Sequence, residues 1–346
     1  MNEFTFIGRI IKPKENQFIK KMPSGNKIMK LLIRQNETNS AYVQIASDLL
    51  YQGNIRVLLK NKGGRQLIPY EDRFDKKLLQ NISPFSKVIT NLSTQNGEDI
   101  EFIYKEDFIN YIDKHLEDYP QDTLFEIKGE YSITEYKNKF YNNFNIRSLK
   151  VVNNNTRPEF TMKLNLFYNY EGLDESDKRN KFILNAYVEQ YVYNLKQTRY
   201  IPIQVEFITN RFDFKNATDV EVIKHRKANM LPPKDAGYVK AVWEAQYIRG
   251  AQLILPPLET LPKDIQFEII NAGRDIKEYM SNIVSEANEI ICLTRPDNTL
   301  SKDGEVYTSL GISDNEFESK IYETDNLDIE TIDKIADEDA KQNPFN

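Results

Sequence analysis

Short runs rich in β-branched and aromatic residues, separated by turn signals, fill the first third of the chain. EFTFIGRII (3–11), NKIMKLLIR (26–34) and SAYVQIAS (40–47) have the length and composition of strands, and Pro23-Ser24-Gly25-Asn26 marks a turn. In NKIMKLLIR, alternation puts Met29, Leu31 and Ile33 on one face and Ile28, Lys30, Leu32 and Arg34 on the other. A face carrying two cations is not all core. NIRVLLKNKGGRQLIPY (54–70) reads as a hairpin turning at Gly63-Gly64, where a tight connection needs positive φ. Its tip collects Lys60, Lys62 and Arg65. An apolar stripe of Phe108, Ile109, Tyr111, Ile112 and Leu116 predicts a helix over 105–118, with Pro120 after its end. TLFEIKGEYSITEY and FYNNFNIRSLKVV then predict two strands joined through Lys137-Asn138-Lys139.

Asn153-Asn154-Asn155 and Pro158 mark a boundary. EFTMKLNLFYNY, KFILNAYVEQYVYNL, YIPIQVEFI and DVEVIKHR predict a second β-rich module over 156–230. In YIPIQVEFI, Tyr200, Pro202, Gln204 and Glu206 alternate with Ile201, Ile203, Val205 and Phe207, the pattern of a half-buried antiparallel strand. No residue-level repeat proves that the two β regions are duplicates, although their lengths and strand counts permit a second OB-like barrel. After Pro232-Pro233 the apolar spacing becomes helical. Tyr238, Val239, Val242, Trp243 and Tyr247, then Ile265, Phe267, Ile269, Ile276, Tyr279, Met280, Ile283 and Ala287, predict a helical module over 231–295. From 296 onward Gly, Ser, Asn and acids dominate, which predicts a flexible, disordered acidic tail with at most a short element.

Composition narrows the chemistry. The 346 residues are 40% hydrophobic, enough for more than one core. No run approaches the 18 apolar residues of a membrane span, and MNEFTFIGRI does not read as a signal peptide. One cysteine, Cys292, and two distant histidines, His115 and His225, exclude an internal disulfide framework and a zinc site built on Cys or His. The expectation is a reducing cytoplasm, no cofactor, no metal and no enzymatic activity. The net charge of −6 hides a polarity. Residues 1–70 hold twelve Lys/Arg against four Asp/Glu, a balance of +8, whereas residues 301–346 hold four against thirteen, a balance of −9. A basic front suits a polyanion partner, and an acidic back suits a competitor or recruiter.

The predicted fold class is mainly β with a C-terminal α-helical region. Five short strands with a helix after the third is the layout of an OB-fold, a small barrel that binds oligonucleotides. Residues 1–155 fit that layout if about 48–100 is an insertion carrying the basic hairpin. FIGRIIKP, then SGNKIMKLLIR, then FEIKGEYSITEY after the helix resemble the single-stranded DNA-binding proteins of bacteria and phages. In that family a first strand ends in Gly-Arg near a Pro, a Gly-Asn opens the next, and a later strand carries a Gly between apolar residues. The terminal ADEDAKQNPFN resembles the family's acidic tail, which recruits replication and repair partners. The resemblance covers the first 155 residues and the last dozen, and it implies a phage-encoded protein of replication, recombination or repair. It points to Asp337, Glu338, Asp339, Pro344 and Phe345 as a partner-binding tail. The chain departs from the family in the 48–100 insertion and the second β region. At the terminus, Lys341-Gln342-Asn343 separates the acids from Pro344-Phe345, and Asn346 follows.

Binding single strands takes cations that track phosphates and flat side chains on which bases stack. The candidate cations are Arg9, Lys12, Lys20, Lys21, Lys27, Lys30, Arg34, Lys60, Lys62 and Arg65. EYKNKFYNNF interleaves Tyr136, Phe140, Tyr141 and Phe144 with Lys137 and Lys139, in what would be the loop between the fourth and fifth barrel strands. Tyr131, Phe125, Trp243 and Cys292 are expected in cores. The expected partners are single-stranded DNA and, through the tail, replication or recombination proteins, with no membrane and with a homo-oligomer left open. Two other classes stay open: a virion or assembly protein, and a nuclease using carboxylates and Mg²⁺.

Overall fold

A computed structural model describes residues 2–11, 18–60, 64–94, 97–136, 139–174, 182–192, 195–207, 231–250, 288–296 and 307–322, together with 221. The chain is mostly β. Its first half holds β1 (Glu3–Ile11), β2 (Ile19–Lys21), β3 (Lys27–Arg34) and β4 (Ser40–Ala46). An insertion follows, with β5 (Asn54–Leu58), β6 (Arg65–Pro69), α1 (Lys76–Asn81), β7 (Val88–Thr90) and β8 (Ile100–Phe102). The half closes with α2 (Lys105–His115), β9 (Leu124–Tyr136) and β10 (Lys139–Val151). The second half holds β11 (Glu159–Tyr168), β12 (Leu173–Asp174), β13 (Phe182–Val192), β14 (Gln197–Phe207), β15 (Val239–Gly250) and β16 (Asn288–Pro296). Last come β17 (Tyr307–Ser309) and the short helix α3 (Asp314–Glu318).

Strand pairing closes two rings of identical order. In ring one β1 pairs β3, β3 pairs β4, β4 pairs β10, β10 pairs β9, and β9 returns to β1. In ring two β11 pairs β13, β13 pairs β14, β14 pairs β16, β16 pairs β15, and β15 returns to β11. In each ring only the third and fifth strands run parallel. The helix α2 lies between the third and fourth strands of ring one and buries Phe108, Ile109 and Ile112. Glu106 and Asp107 in its first turn and Lys114 and His115 in its last match the helix dipole.

The rings join through their first strands. β1 and β11 pair antiparallel from Glu3↔Lys163 to Ile7↔Glu159, centred on Thr5↔Thr161. Glu-Phe-Thr at 3–5 recurs at 159–161, so the pairing relates the rings by a local two-fold axis through the two threonines. Alternation along β1 sends Phe4, Phe6 and Ile10 inward. Phe6 stacks on Phe160 at 4.5 Å between centroids and meets Phe4, Phe144 and Tyr247 within 5.7 Å. Gly129 on β9 allows this approach, because a Cβ there would strike the Asn145 carbonyl and lie 2.7 Å from the Phe4 ring. The insertion keeps a small core of its own, Ile55, Val57, Ile68, Ile82, Ile103 and Tyr104, under the two-stranded β5–β6 sheet.

Two expectations are corrected. Residues 239–250, expected to begin a helical module over 231–295, are the strand β15. The three- and four-residue spacing was coincidental: Val239, Ala241, Trp243, Ala245 and Tyr247 are the most buried positions, with the two-residue period of a strand. Pairing on both edges, to β11 and β16, leaves the backbone no reason to coil. Residues 231–238 of that module are turn and bend, 288–295 belong to the strand β16, and 251–287 lie outside the described residues. Within the expected flexible tail, residues 307–322 are ordered, since β17 pairs β15 and α3 buries Phe317.

Phe6→Ala should remove the contact shared by both rings and cost about 3–5 kcal/mol. Urea denaturation should show this loss. A change below about 1 kcal/mol would mean that the rings do not depend on this junction.

Candidate nucleic-acid interface

The inward set of β1, β3, β4 and β10 fills the core, so the alternate set must line the outer face of ring one. Register places Arg9 opposite Arg34, Leu32 opposite Tyr42, Lys30 opposite Gln44, and Gln44 opposite Asn145. Four adjacent strands, each about 4.8 Å from the next, thus carry Arg9, Arg34, Lys30, Tyr42, Gln44 and Asn145 across one surface. Arg9, Lys30, Arg34 and Tyr42 are exposed. Arg9 and Arg34 face each other directly, an arrangement that destabilises a sheet, and among the described residues neither has an ion-pair partner.

Tyr42 is the flat element of this surface, 43% exposed. The Lys30 ammonium lies 4.7 Å and the Arg249 guanidinium 4.9 Å from its ring centroid. Arg249 comes from β15 of ring two and is held by Glu289 at 3.3 Å. Its backbone is fixed by Asn39, whose carboxamide accepts from Arg249 N at 2.8 Å and donates to Tyr247 O at 3.1 Å. Farther along, Arg147 on β10 donates to the Phe85 carbonyl at 2.6 Å and lies 5.4 Å from the Phe85 ring, which is 57% exposed. The surface therefore alternates cations with rings.

The structure distributes the residues expected from sequence unevenly. Arg9, Lys30 and Arg34 come together on the face just described. Lys20 and Lys21 are exposed on β2 beside β3. Lys27 turns aside: its ammonium holds α2 through Asn110 at 2.8 Å and Glu106 at 3.0 Å. Lys60 and Arg65 are exposed on the β5–β6 hairpin, a sheet separate from the rings. Lys139 and Tyr141 are exposed on the β9–β10 arm. Lys12, Lys62, Lys137, the Tyr136 side chain and the tail residues Asp337, Glu338, Asp339, Pro344 and Phe345 lie outside the described residues.

Phe144 is a correction. It is 2% exposed and packs against Phe4, Phe6, Tyr131 and Tyr247, because β10 points its even positions away from the outer face. Phe140 shares that parity, so it reaches toward ring two and meets Tyr322 at 6.2 Å. The arm is docked there rather than free. Gln190 bonds both the N–H and the carbonyl of Ile133, at 2.8 and 2.7 Å, and Tyr322 donates to Glu135 at 3.1 Å. Burial, with the Glu289 charge nearby, pushes the Tyr131 hydroxyl far above its usual pKa and keeps it a donor to Asn142.

Sequence reasoning missed Tyr42, Arg147, Phe85 and Arg249. Alternation in SAYVQIAS could have found Tyr42, which falls on the polar side opposite Leu32. Arg249 had no such signal, since its segment read as helix. Among the described residues, no group of His, Cys, Asp and Glu is placed to hold a metal ion, and no helix is long and apolar enough to cross a membrane.

No family model matches the sequence, and no curated protein matches it. Among solved structures, a deletion mutant of the single-stranded DNA binding protein from Thermus aquaticus is similar over 72% of this chain and 87% of that one, with 8% identity and a TM-score of 0.32.

The Arg9–Arg34 opposition gives a direct expectation. Arg34→Gln should stabilise the ligand-free protein by several tenths of a kcal/mol at low ionic strength. The gain should vanish near 1 M salt, where the Debye length is about 3 Å. Denaturation midpoints at the two salt concentrations check this, and a loss of stability at low salt would refute the repulsion.

Proposed function

We propose that this chain binds single-stranded DNA without chemical turnover, and that the outer face of ring one is the binding surface. The observation that carries the reading is the cluster of Arg9, Lys30 and Arg34 around the exposed Tyr42 ring. Unneutralised cations draw a polyanion and release its counterions. An exposed ring favours unpaired bases, each worth about 1–3 kcal/mol when stacked.

The strand order supports reading each ring as an OB barrel, with its third and fifth strands parallel. In such barrels the face of the second and third strands takes oligonucleotides, which here are β3 and β4. Arg147 and Phe85 extend the track toward the insertion, whose cations Lys60 and Arg65 would meet phosphates beyond the barrel. The acidic C-terminal tail, with its −9 balance over 301–346, belongs to the same proposal as a regulator of binding or a recruiter of replication and recombination proteins. The setting is the cytoplasm in which phage DNA is copied.

A salt titration of binding to a single-stranded and a duplex oligonucleotide tests this. The single strand should bind more tightly. Log K should fall linearly with log salt, by about 0.7 per phosphate contact. Tyr42→Ala should weaken binding by about 5- to 150-fold, the equivalent of one stacked base, with the salt slope retained. Arg34→Gln should instead flatten the slope. Salt-insensitive binding, or equal affinity for duplex, would overturn the proposal.

A further inference from the structure

The two-fold relation assigns each position on ring one an equivalent on ring two. Ile11↔Leu32 corresponds to Phe167↔Tyr187, so Leu32, Ser40, Lys30 and Arg34 correspond to Tyr187, Tyr200, Asn185 and Glu189. On the face that ring one offers to a strand, ring two thus has Asn185 and Glu189 in place of the cations, and tyrosines in place of Leu32 and Ser40. The part of that face around Tyr187 and Tyr200 is covered, while Asn185, Glu189 and Gln204 stay exposed. Phe317 of α3 is fully buried between two tyrosine rings, 4.0 Å from Tyr200 at an interplanar angle of 15° and 3.8 Å from Tyr238 at 12°. Tyr187 closes the edge at 5.5 Å. Three nearly parallel rings at such spacing form a stack whose middle member has the place of a base.

The rest of the segment fits the same description. Asp314, Glu316 and Glu318 make α3 acidic, with Glu316 paired to Lys320 at 2.9 Å. Arg199, next to Tyr200, donates to the Ser319 carbonyl at 2.9 Å, while its buried Nε has no partner among the described residues. A guanidinium aimed at a carbonyl oxygen beside an aromatic slot is placed equally well for a phosphate oxygen beside a base. A cavity of about 410 Å³ opens on the far side of Tyr187, between the β9–β10 arm and β13–β14, with Phe140, Asn185 and Gln204 in its lining. It has room for a neighbouring nucleotide.

We propose that the outer face of ring two is a second single-stranded DNA site, whose aromatic slot between Tyr200 and Tyr238 is filled by the chain's own Phe317 until a base displaces it. This rests on the reading of ring one as a single-strand surface, which brings DNA to the molecule first. With Glu189 where ring one has Arg34, the second site holds bases by stacking more than phosphates by charge. It therefore fills at higher strand concentration and with a shallower salt dependence.

Phe317→Trp keeps a ring in the slot and adds a reporter, the sole other indole being the fully buried Trp243. Iodide quenching of the full-length variant is measured while oligothymidylate is added, with strand binding followed separately by anisotropy of a labelled oligonucleotide. Quenching should rise severalfold as the strand approaches saturation, and should not rise with an abasic strand of the same length and charge. If the indole stays protected while anisotropy shows the strand bound, or if the abasic strand releases it equally, the second site is overturned and ring one's role survives. If no strand binds, the reading of ring one fails and this inference falls with it.

Discussion

The antiparallel pairing of β1 with β11 is the constraint on which the rest of the molecule depends. A five-strand ring closes most of its edges, but the first half of its first strand is left over in each ring. Exposed strand edges invite uncontrolled association, and here each ring covers the edge of the other, with Thr5 and Thr161 at the centre. The junction then builds a shared aromatic core, since Phe6 and Phe160 are direct cross-strand partners stacked at 4.5 Å. With the rings fixed at this seam, Asn39 can clamp β15, Arg249 can reach the Tyr42 ring, and Gln190 can hold the β9–β10 arm.

Shared topology with different surfaces gives the chain its asymmetry. Lys30, Arg34 and Tyr42 on one ring stand where Asn185, Glu189 and Pro202 stand on the other. The interior sides of these strands stay uniformly apolar, so packing does not force the difference. Ring one accepts a like-charge pair, Arg9 against Arg34, that folding alone would select against. Such a cost in the free state is intelligible where a polyanion later occupies the face. Ring two shows the opposite choice, with the tyrosine patch of its face closed by an acidic segment of the same chain.

Much of the β framework was legible because alternation is a direct record of which side of a strand meets the core. The runs 3–11, 26–34 and 40–47, the paired strands on either side of Lys137-Asn138-Lys139, and the α2 stripe all lie where the pattern places them. The β15 strand was not legible. Its aromatic and β-branched residues satisfied helical spacing as well as a two-residue period, and only pairing with β11 and β16 decides between them. The relation between the rings was hidden for another reason. Glu-Phe-Thr recurs at 159–161, but three residues are too few to establish a repeat, and the equivalence resides in the pairing order. At the site, Lys30 and Arg34 were readable from alternation, whereas Lys27 was diverted by α2 and Phe144 by strand parity, both effects of tertiary structure.

Hydrogen exchange of the full chain, with and without saturating oligothymidylate, tests the central claim most directly. Amides of 3–7 and 159–163 should be among the slowest to exchange in the free protein, as expected for a seam that opens only with global unfolding. Added strand should slow exchange across 27–46 and 139–149. A fast-exchanging seam, or a bound strand that leaves 27–46 unchanged, would contradict the account.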